Sequence, residues 1–165
     1  MRQQFWIGIG MAALFVLGGC GFHLRGGTPI PESMKTLRIE GSSAYSPLLR
    51  QLQPRLQSAD VKLVHAKKAP AAVLRVYRDD LRKNVLSVGA KARVREFELL
   101  YDVEFSVFGR HGKALVKDQK ISLRREYSFD ESQLLGKARE EEFLREEMYK
   151  EMADLLMGRL GSVPQ

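Results

Sequence analysis

The chain has 165 residues, a formal charge of +7 and 44% hydrophobic against 28% charged residues. This balance is typical of a folded globular domain and excludes a low-complexity or disordered chain. The basic charge favours an anionic partner such as nucleic acid or lipid headgroups.

The N-terminus predicts an export signal. Arg2 is followed by an apolar run from Phe5 to Leu17 and then by small residues. The run is shorter than the roughly 20 residues that span a bilayer, so a retained transmembrane anchor is the weaker alternative. For an exported protein the expected anionic partner is a phosphorylated lipid and not a nucleic acid, because such lipids are the abundant anions outside the cytoplasm.

Cys20, the only cysteine, directly follows this segment. No internal disulfide can form, and the residues Leu17-Gly18-Gly19-Cys20 resemble the lipobox of bacterial lipoproteins. The resemblance implies cleavage of residues 1–19, diacylglycerol on the sulfur and an acyl chain such as palmitate on the nitrogen. Because each buried methylene contributes about 0.8 kcal/mol, these chains would anchor the protein durably. Gly21 after the cysteine favours the outer membrane, by the same resemblance.

The mature chain predicts one domain on a tether. Residues 20–33 are rich in Gly and Pro and predict the tether, residues 34–161 the domain, and residues 162–165 a short tail. A first strand is expected over 34–40. Ser46 and Pro47 then form a helix-start signal for a helix over 46–58, and Pro54 is expected to bend that helix or end it early.

Three further strands are predicted in the middle of the chain. Val73 to Val85 predicts one strand, and the alternation of apolar and polar residues from Phe97 to Val107 predicts the next. Leu115 to Phe129 alternates in the same way. The last two strands are expected to form a hairpin with one buried face and one solvated face.

The hairpin register follows from its side chains. A three-residue loop ending at Gly112, with that glycine in the left-handed conformation, pairs Gly109 with Lys113. This register places apolar residues opposite each other and charged residues opposite each other on the two faces. The predicted pairs are Leu99 with Leu123, Tyr101 with Ile121, Val107 with Leu115, Glu98 with Arg124 and Asp102 with Lys120.

Helical spacing returns from Glu140 to Leu160, with Gly161 and Pro164 at its end. The element order is therefore strand, helix, strand, strand, strand, helix. It predicts an α+β domain in which two helices cover one face of a four-stranded, mainly antiparallel sheet.

No catalytic or metal-binding motif is found. His23, His65 and His111 lie far apart, and there is no Gly-rich phosphate loop or metal-ligand spacing. The adjacent acids Asp79-Asp80 and Glu140-Glu141-Glu142 are expected to be solvated. We therefore expect no enzyme, no metal and no cofactor.

The first mature residues carry a family resemblance. Cys20 to Gly26, with the sequence CGFHLRG, resembles the opening of the lipopolysaccharide-assembly lipoproteins of the LptE/RlpB family, and Met34 to Leu37 resembles their first strand. The resemblance implies a non-enzymatic subunit of the outer-membrane lipopolysaccharide translocon. Such a subunit would plug a large β-barrel of the LptD type from its periplasmic side, assist the assembly of that barrel and help deliver lipopolysaccharide to the outer leaflet.

Charge is distributed unevenly along the chain. Residues 62–125 hold 16 basic against 7 acidic residues, whereas residues 126–165 hold 5 against 10. Basic residues without an acidic neighbour in the predicted register should lie at one end of the sheet. There they could bind lipopolysaccharide phosphates, or else provide solubility or contact acidic residues of the barrel. They are Arg82, Lys83, Lys91, Arg93, Arg95 and Arg125.

Two other functions stay open at this point. The chief alternative is a free-standing periplasmic lipoprotein that binds a lipid or an envelope polymer. A lipid-modifying enzyme is a more distant one. A stable complex with a large barrel protein would separate the translocon subunit from both.

Overall fold

The computed structural model describes residues 29–41, 43, 45–66, 69–89 and 94–163. Its strands are β1 (Thr36–Glu40), β2 (Lys62–Leu63), β3 (Ala72–Val88), β4 (Val94–Phe108) and β5 (Ala114–Ser128). Its α-helices are α1 (Pro47–Ser58) and α2 (Leu134–Gly161), and 3-10 turns span Glu32–Met34 and Glu131–Gln133.

The strands form one sheet in the order β2-β1-β3-β4-β5. β1 is parallel to β2 and β3, while β3, β4 and β5 are antiparallel. β1 and β2 are parallel because α1 forms the crossover between them. The predicted α+β class is confirmed. The sheet has five strands and not four, because β2 is too short to show a period in the sequence.

The helices cover one face of the sheet, here called the helix-covered face; the other is the open face. The buried side chains of both helices and of four strands, β1, β3, β4 and β5, form one core. Leu48, Leu52 and Leu56 come from α1, Met148, Met152 and Leu156 from α2, and Leu74, Leu99, Tyr101, Val103 and Phe105 from β3 and β4. Ile30 and Val163, near the two ends of the domain, also belong to this core.

The first helix begins at its predicted cap, whereas the second begins earlier than predicted. The Ser46 side chain accepts a hydrogen bond from the Leu49 amide at 3.4 Å, as the sequence predicts. α1 continues past Pro54 to Ser58, so the predicted early end is wrong. Pro54 is exposed whereas Leu52 and Leu56 face the core, so the backbone bond that the proline removes lies on the solvent side. α2 begins at Leu134, six residues before the predicted start.

The turn between β4 and β5 has the predicted geometry. Gly112 has φ of 77°, and the Gly109 amide donates to the Lys113 carbonyl at 2.8 Å. The three-residue loop is therefore confirmed.

Beyond this turn the predicted register is wrong, first by one residue and then by two. Val107 lies opposite Val116 instead of Leu115, and Tyr101 lies opposite Leu123 instead of Ile121. Two irregularities lie on either side of Val107, near the turn. Each places one extra residue of β5 opposite β4, so the shift adds up to two residues. The shift of two keeps the side chains of β5 from Gln119 onwards on their predicted faces, whereas beside the turn Val116 and not Leu115 is buried. For this reason two of the predicted pairs still form, as diagonal ion pairs of 2.8 Å for Glu98–Arg124 and 3.3 Å for Asp102–Lys120.

Candidate functional site

Cys20, the predicted lipidation site, lies outside the described residues, as does most of the tether. Ile30 is the first buried side chain of the described part, ten residues after Cys20. The acylation of Cys20 stays a prediction from the sequence.

The open face of the sheet carries a network of charged side chains centred on Asp102. Its carboxylate accepts from Arg82 Nη2 at 2.7 Å and from Ser122 Oγ at 2.6 Å, and Lys120 Nζ lies 3.3 Å away. The Ser122 hydrogen bond, and after it those charges, lower the pKa of Asp102 against the desolvation that raises it. Asp102 is only 2% exposed because these neighbours cover it. It therefore stays ionised and holds β3, β4 and β5 together.

The same pattern continues along the open face. Acids of β4 accept from polar or basic side chains of the neighbouring strands β3 and β5. Glu98 accepts from Asn84 at 3.2 Å and pairs with Arg124, and Arg78 pairs with Asp80 at 3.1 Å. The open face is therefore a polar surface whose charges are largely paired with each other.

The six basic residues predicted as one cluster do not all lie together. Lys91 and Arg93 fall outside the described residues, and Arg95 is exposed at the start of β4. Lys83 and Arg125 both flank Leu99 on the helix-covered face, whereas Arg82 lies on the open face.

The expectation that these cations have no acidic neighbour is wrong for three of them. Arg82 pairs with Asp102, Lys83 Nζ lies 2.6 Å from Glu141, and Arg125 pairs with Glu151. Asp102 lies on β4, whereas Glu141 and Glu151 lie on α2. The predicted register concerns the hairpin alone and does not show that α2 packs over the sheet. Whether the six residues bind lipopolysaccharide stays a proposal.

Glu141 joins α2 to the sheet. It accepts from Lys83 and from the Tyr127 hydroxyl, each at 2.6 Å, and from Arg145 at 2.7 Å. Desolvation opposes ionisation, but these hydrogen bonds outweigh it and lower the pKa of Glu141 from 4.5 to about 2. Lys83 Nζ also lies 3.8 Å from the centre of the Phe97 ring. The expectation that Glu141 is solvated is therefore wrong.

We expect Glu141→Gln to lower the free energy of unfolding at pH 7 by about 2 kcal/mol, because it removes a partly screened charge from three donors. Since the pKa is lower in the folded state, this stability is present above pH 4.5 and is lost as the pH falls towards 2. The wild-type and variant unfolding curves, measured in urea, should thus converge on acidification. Glu142→Gln, an exposed neighbour, is the matched control, and an equal loss there would contradict the assignment.

Asp79 is also engaged, contrary to expectation. Its carboxylate accepts from the Ser46 hydroxyl at 2.5 Å and from the Tyr101 hydroxyl at 2.7 Å. Desolvation and the neighbouring Asp79 raise the pKa of Tyr101. The sequence marks Ser46 as a helix cap but does not show that it also binds β3. Asp79 therefore ties the start of α1 to the sheet.

Two further observations concern the described part of the chain alone. It contains no group of three His, Cys, Asp or Glu side chains placed to hold a metal ion. None of its helices is both long and apolar enough to cross a bilayer.

Comparison with known proteins gives one consistent family. The LptE family, described as lipopolysaccharide-assembly, matches residues 34–160. The LPS-assembly lipoprotein LptE of Photorhabdus laumondii is 30% identical over 155 residues, which cover 94% of this chain and 84% of that protein. The protein of the same name from Pectobacterium atrosepticum is 28% identical over 99% of this chain and 88% of its own length.

Solved structures agree with this result. The crystal structure of rare lipoprotein B from Shewanella oneidensis superposes with a TM-score of 0.66 at 35% identity, covering 77% of this chain and 94% of that one. The solution structure of lipoprotein B from Nitrosomonas europaea gives the same TM-score at 30% identity, covering 83% and 88%. The fold and the sequence thus point to the same group of proteins.

Proposed function

The chain belongs to the LptE lipopolysaccharide-assembly family, and from this membership we propose that it is the lipoprotein subunit of the outer-membrane lipopolysaccharide translocon. Members of the family are non-enzymatic lipopolysaccharide-assembly lipoproteins, so the chain is not a lipid-modifying enzyme. The proposed partner is a large outer-membrane β-barrel of the LptD type. The domain would fill the barrel lumen from the periplasmic side, assist barrel assembly and help deliver lipopolysaccharide to the outer leaflet.

The open face is the observation that supports a position inside a barrel. The lumen of a wide barrel is polar, so a plug needs a polar surface and not an apolar one. The open face offers ion pairs whose central carboxylate, that of Asp102, is already neutralised by Arg82 and Lys120. Such a face can meet a polar wall without burying an unpaired charge.

Photo-crosslinking from both faces tests enclosure. Tyr77 on the open face is 52% exposed and Phe143 on α2 is 64% exposed, so either can be replaced by the photoreactive residue p-benzoylphenylalanine. We expect both positions to crosslink to the same barrel protein in intact cells, because a plug is surrounded on all sides. Crosslinks from one face alone would contradict enclosure. Their absence from both faces would contradict the barrel partnership and favour the free-standing lipoprotein.

We further propose that the basic end of the sheet, where β3 ends and β4 begins, binds lipopolysaccharide phosphates. Arg95 is exposed there, next in sequence to Lys91 and Arg93. The other three candidates, Arg82, Lys83 and Arg125, would have to exchange a carboxylate for a phosphate. Arg82 and Arg125 are well suited to such an exchange because a guanidinium binds both groups in the same bidentate manner, whereas Lys83 would bind either group as a point charge.

Charge reversal tests this basic end. Replacing Lys91, Arg93 and Arg95 by Glu should weaken binding of purified lipopolysaccharide to the detergent-solubilised protein by about tenfold or more, since several charge-assisted bonds are lost. The matched control replaces three exposed lysines elsewhere in the chain, Lys62, Lys113 and Lys117. Equal losses in both variants would show that net charge alone governs binding.

A further inference from the structure

A basic cleft lies beside the β4–β5 turn, at the end of the sheet opposite to the basic end proposed above. Its volume is about 510 Å³, and its lining includes three arginines, Arg38, Arg75 and Arg110, together with Phe108 and Pro70. β1, β3 and the turn each contribute one arginine, so residues distant in sequence converge here. None of the three belongs to the basic end described above.

One carboxylate serves two of these arginines. Arg38 Nε lies 2.9 Å from Glu40 Oε1, and Arg75 Nη2 lies 3.3 Å from Glu40 Oε2. Arg38 Nη1 is also 3.5 Å from the carbonyl oxygens of Ala66 and Ala69, so Arg38 forms one wall of the cleft. Glu40 therefore brings one negative charge to the two guanidinium groups that it contacts.

Arg75 and Arg110 keep donors that face solvent. The Arg75 guanidinium lies over the Phe108 ring, 5.1 Å from its centre, and its side chain is still 45% exposed. A cation–π contact of this kind uses the face of the ring and none of the guanidinium N–H groups, so the exposed N–H groups of Arg75 can donate to an anion. Arg110 is exposed in the turn and has no acidic partner among the described residues. Among the described residues, three arginines and one carboxylate, that of Glu40, thus lie at the cleft.

We propose that this cleft binds a phosphate group, carried either by a lipid headgroup or by free phosphate. A phosphate has enough oxygens to accept from two or three guanidinium groups at once, whereas Glu40 offers only two. The cleft is larger than a bare phosphate, so a phosphate ester fits with its remaining atoms towards Pro70 and Phe108. This site is separate from the proposed basic end and does not depend on the barrel partnership.

Titration of the full-length protein in non-ionic detergent tests the proposal with two probes, inorganic phosphate and dihexanoyl phosphatidic acid. Arg75→Gln and Arg110→Gln should each weaken binding of both probes by about tenfold, since each removes a charge-assisted hydrogen bond. Arg139→Gln, the same change on the exposed side of α2, should leave binding unchanged. Arg75 lies within β3, so Arg75→Gln can also lower the melting temperature. Arg110 is exposed in a turn, so Arg110→Gln should leave the fold intact and report on binding alone.

Glu40→Gln provides the sharpest test, because it removes the competing carboxylate and keeps the shape of the side chain. It should strengthen phosphate binding several-fold, an effect that a purely structural role for Glu40 would not produce. Tighter binding of phosphatidic acid than of phosphate, lost in the same arginine variants, assigns the site to a lipid headgroup; equal or weaker binding assigns it to free phosphate. Absence of saturable binding, or an equal loss in Arg139→Gln, would overturn the proposal.

Discussion

Replacing Cys20 by serine is expected to abolish the incorporation of fatty acid into the protein and to release it from the membrane. Serine has no thiol on which a thioether to diacylglycerol can form, and the chain has no other cysteine to take its place. Because each lost methylene removes about 0.8 kcal/mol of membrane affinity, the loss of all the acyl chains leaves no durable anchor. Metabolic labelling with radioactive palmitate and membrane flotation measure the two effects.

The folded domain should be unaffected by this change. The core begins at Ile30, ten residues after Cys20, so the melting temperature of the Cys20→Ser protein should match that of the wild type. Gly26→Ser, which alters the same predicted tether without touching the cysteine, should keep its label. Persistent label on the Cys20→Ser protein would show that the chain is not a lipoprotein modified at this residue.

Gly41→Ala should cause a large loss of stability, about 2 to 4 kcal/mol in the free energy of unfolding. Gly41 follows β1 and has φ of 90°, a conformation that alanine resists. A Cβ at this position would also lie 2.2 Å from the carbonyl oxygen of Val76 in β3. The backbone must move to relieve that overlap, which would loosen the pairing of β1 with β3.

Gly112→Ala separates the conformational cost of a positive φ from the steric overlap with Val76. Gly112 also has a positive φ, of 77°, but a Cβ there meets nothing within 4 Å. Its loss should be limited to the conformational cost of about 1 kcal/mol. Urea unfolding of both variants measures the difference. Equal losses would show that the close approach of Gly41 to Val76 is not present in the folded protein.

The hairpin illustrates how much the sequence predicts. Alternation fixes which residues face the core, and Gly112 fixes the loop length, so the faces of β4 and β5 are correct except beside the turn, where Val116 and not Leu115 is buried. The irregularities beside Val107 depend on how side chains pack near the turn, and the alternation pattern contains no signal for them. The predicted ion pairs of Glu98 and Asp102 form nevertheless, because long basic side chains reach diagonal neighbours.

The charged side chains show what the sequence could not predict. Glu141 and Glu151 are typical solvated acids of a helix surface when α2 is considered alone. They become partners of Lys83 and Arg125 because α2 lies over β5 and β3, a contact between elements far apart in the chain. For the same reason the cleft of Arg38, Arg75 and Arg110 has no signature in the sequence.

Purification of the tagged wild-type protein after mild detergent extraction tests the central claim most directly. If the protein is the lipoprotein subunit of the translocon, it should elute together with one large outer-membrane β-barrel protein in equal molar amounts, and the pair should stay together through gel filtration. Elution of the lipoprotein alone, from membranes in which the barrel is present and intact, would contradict this account.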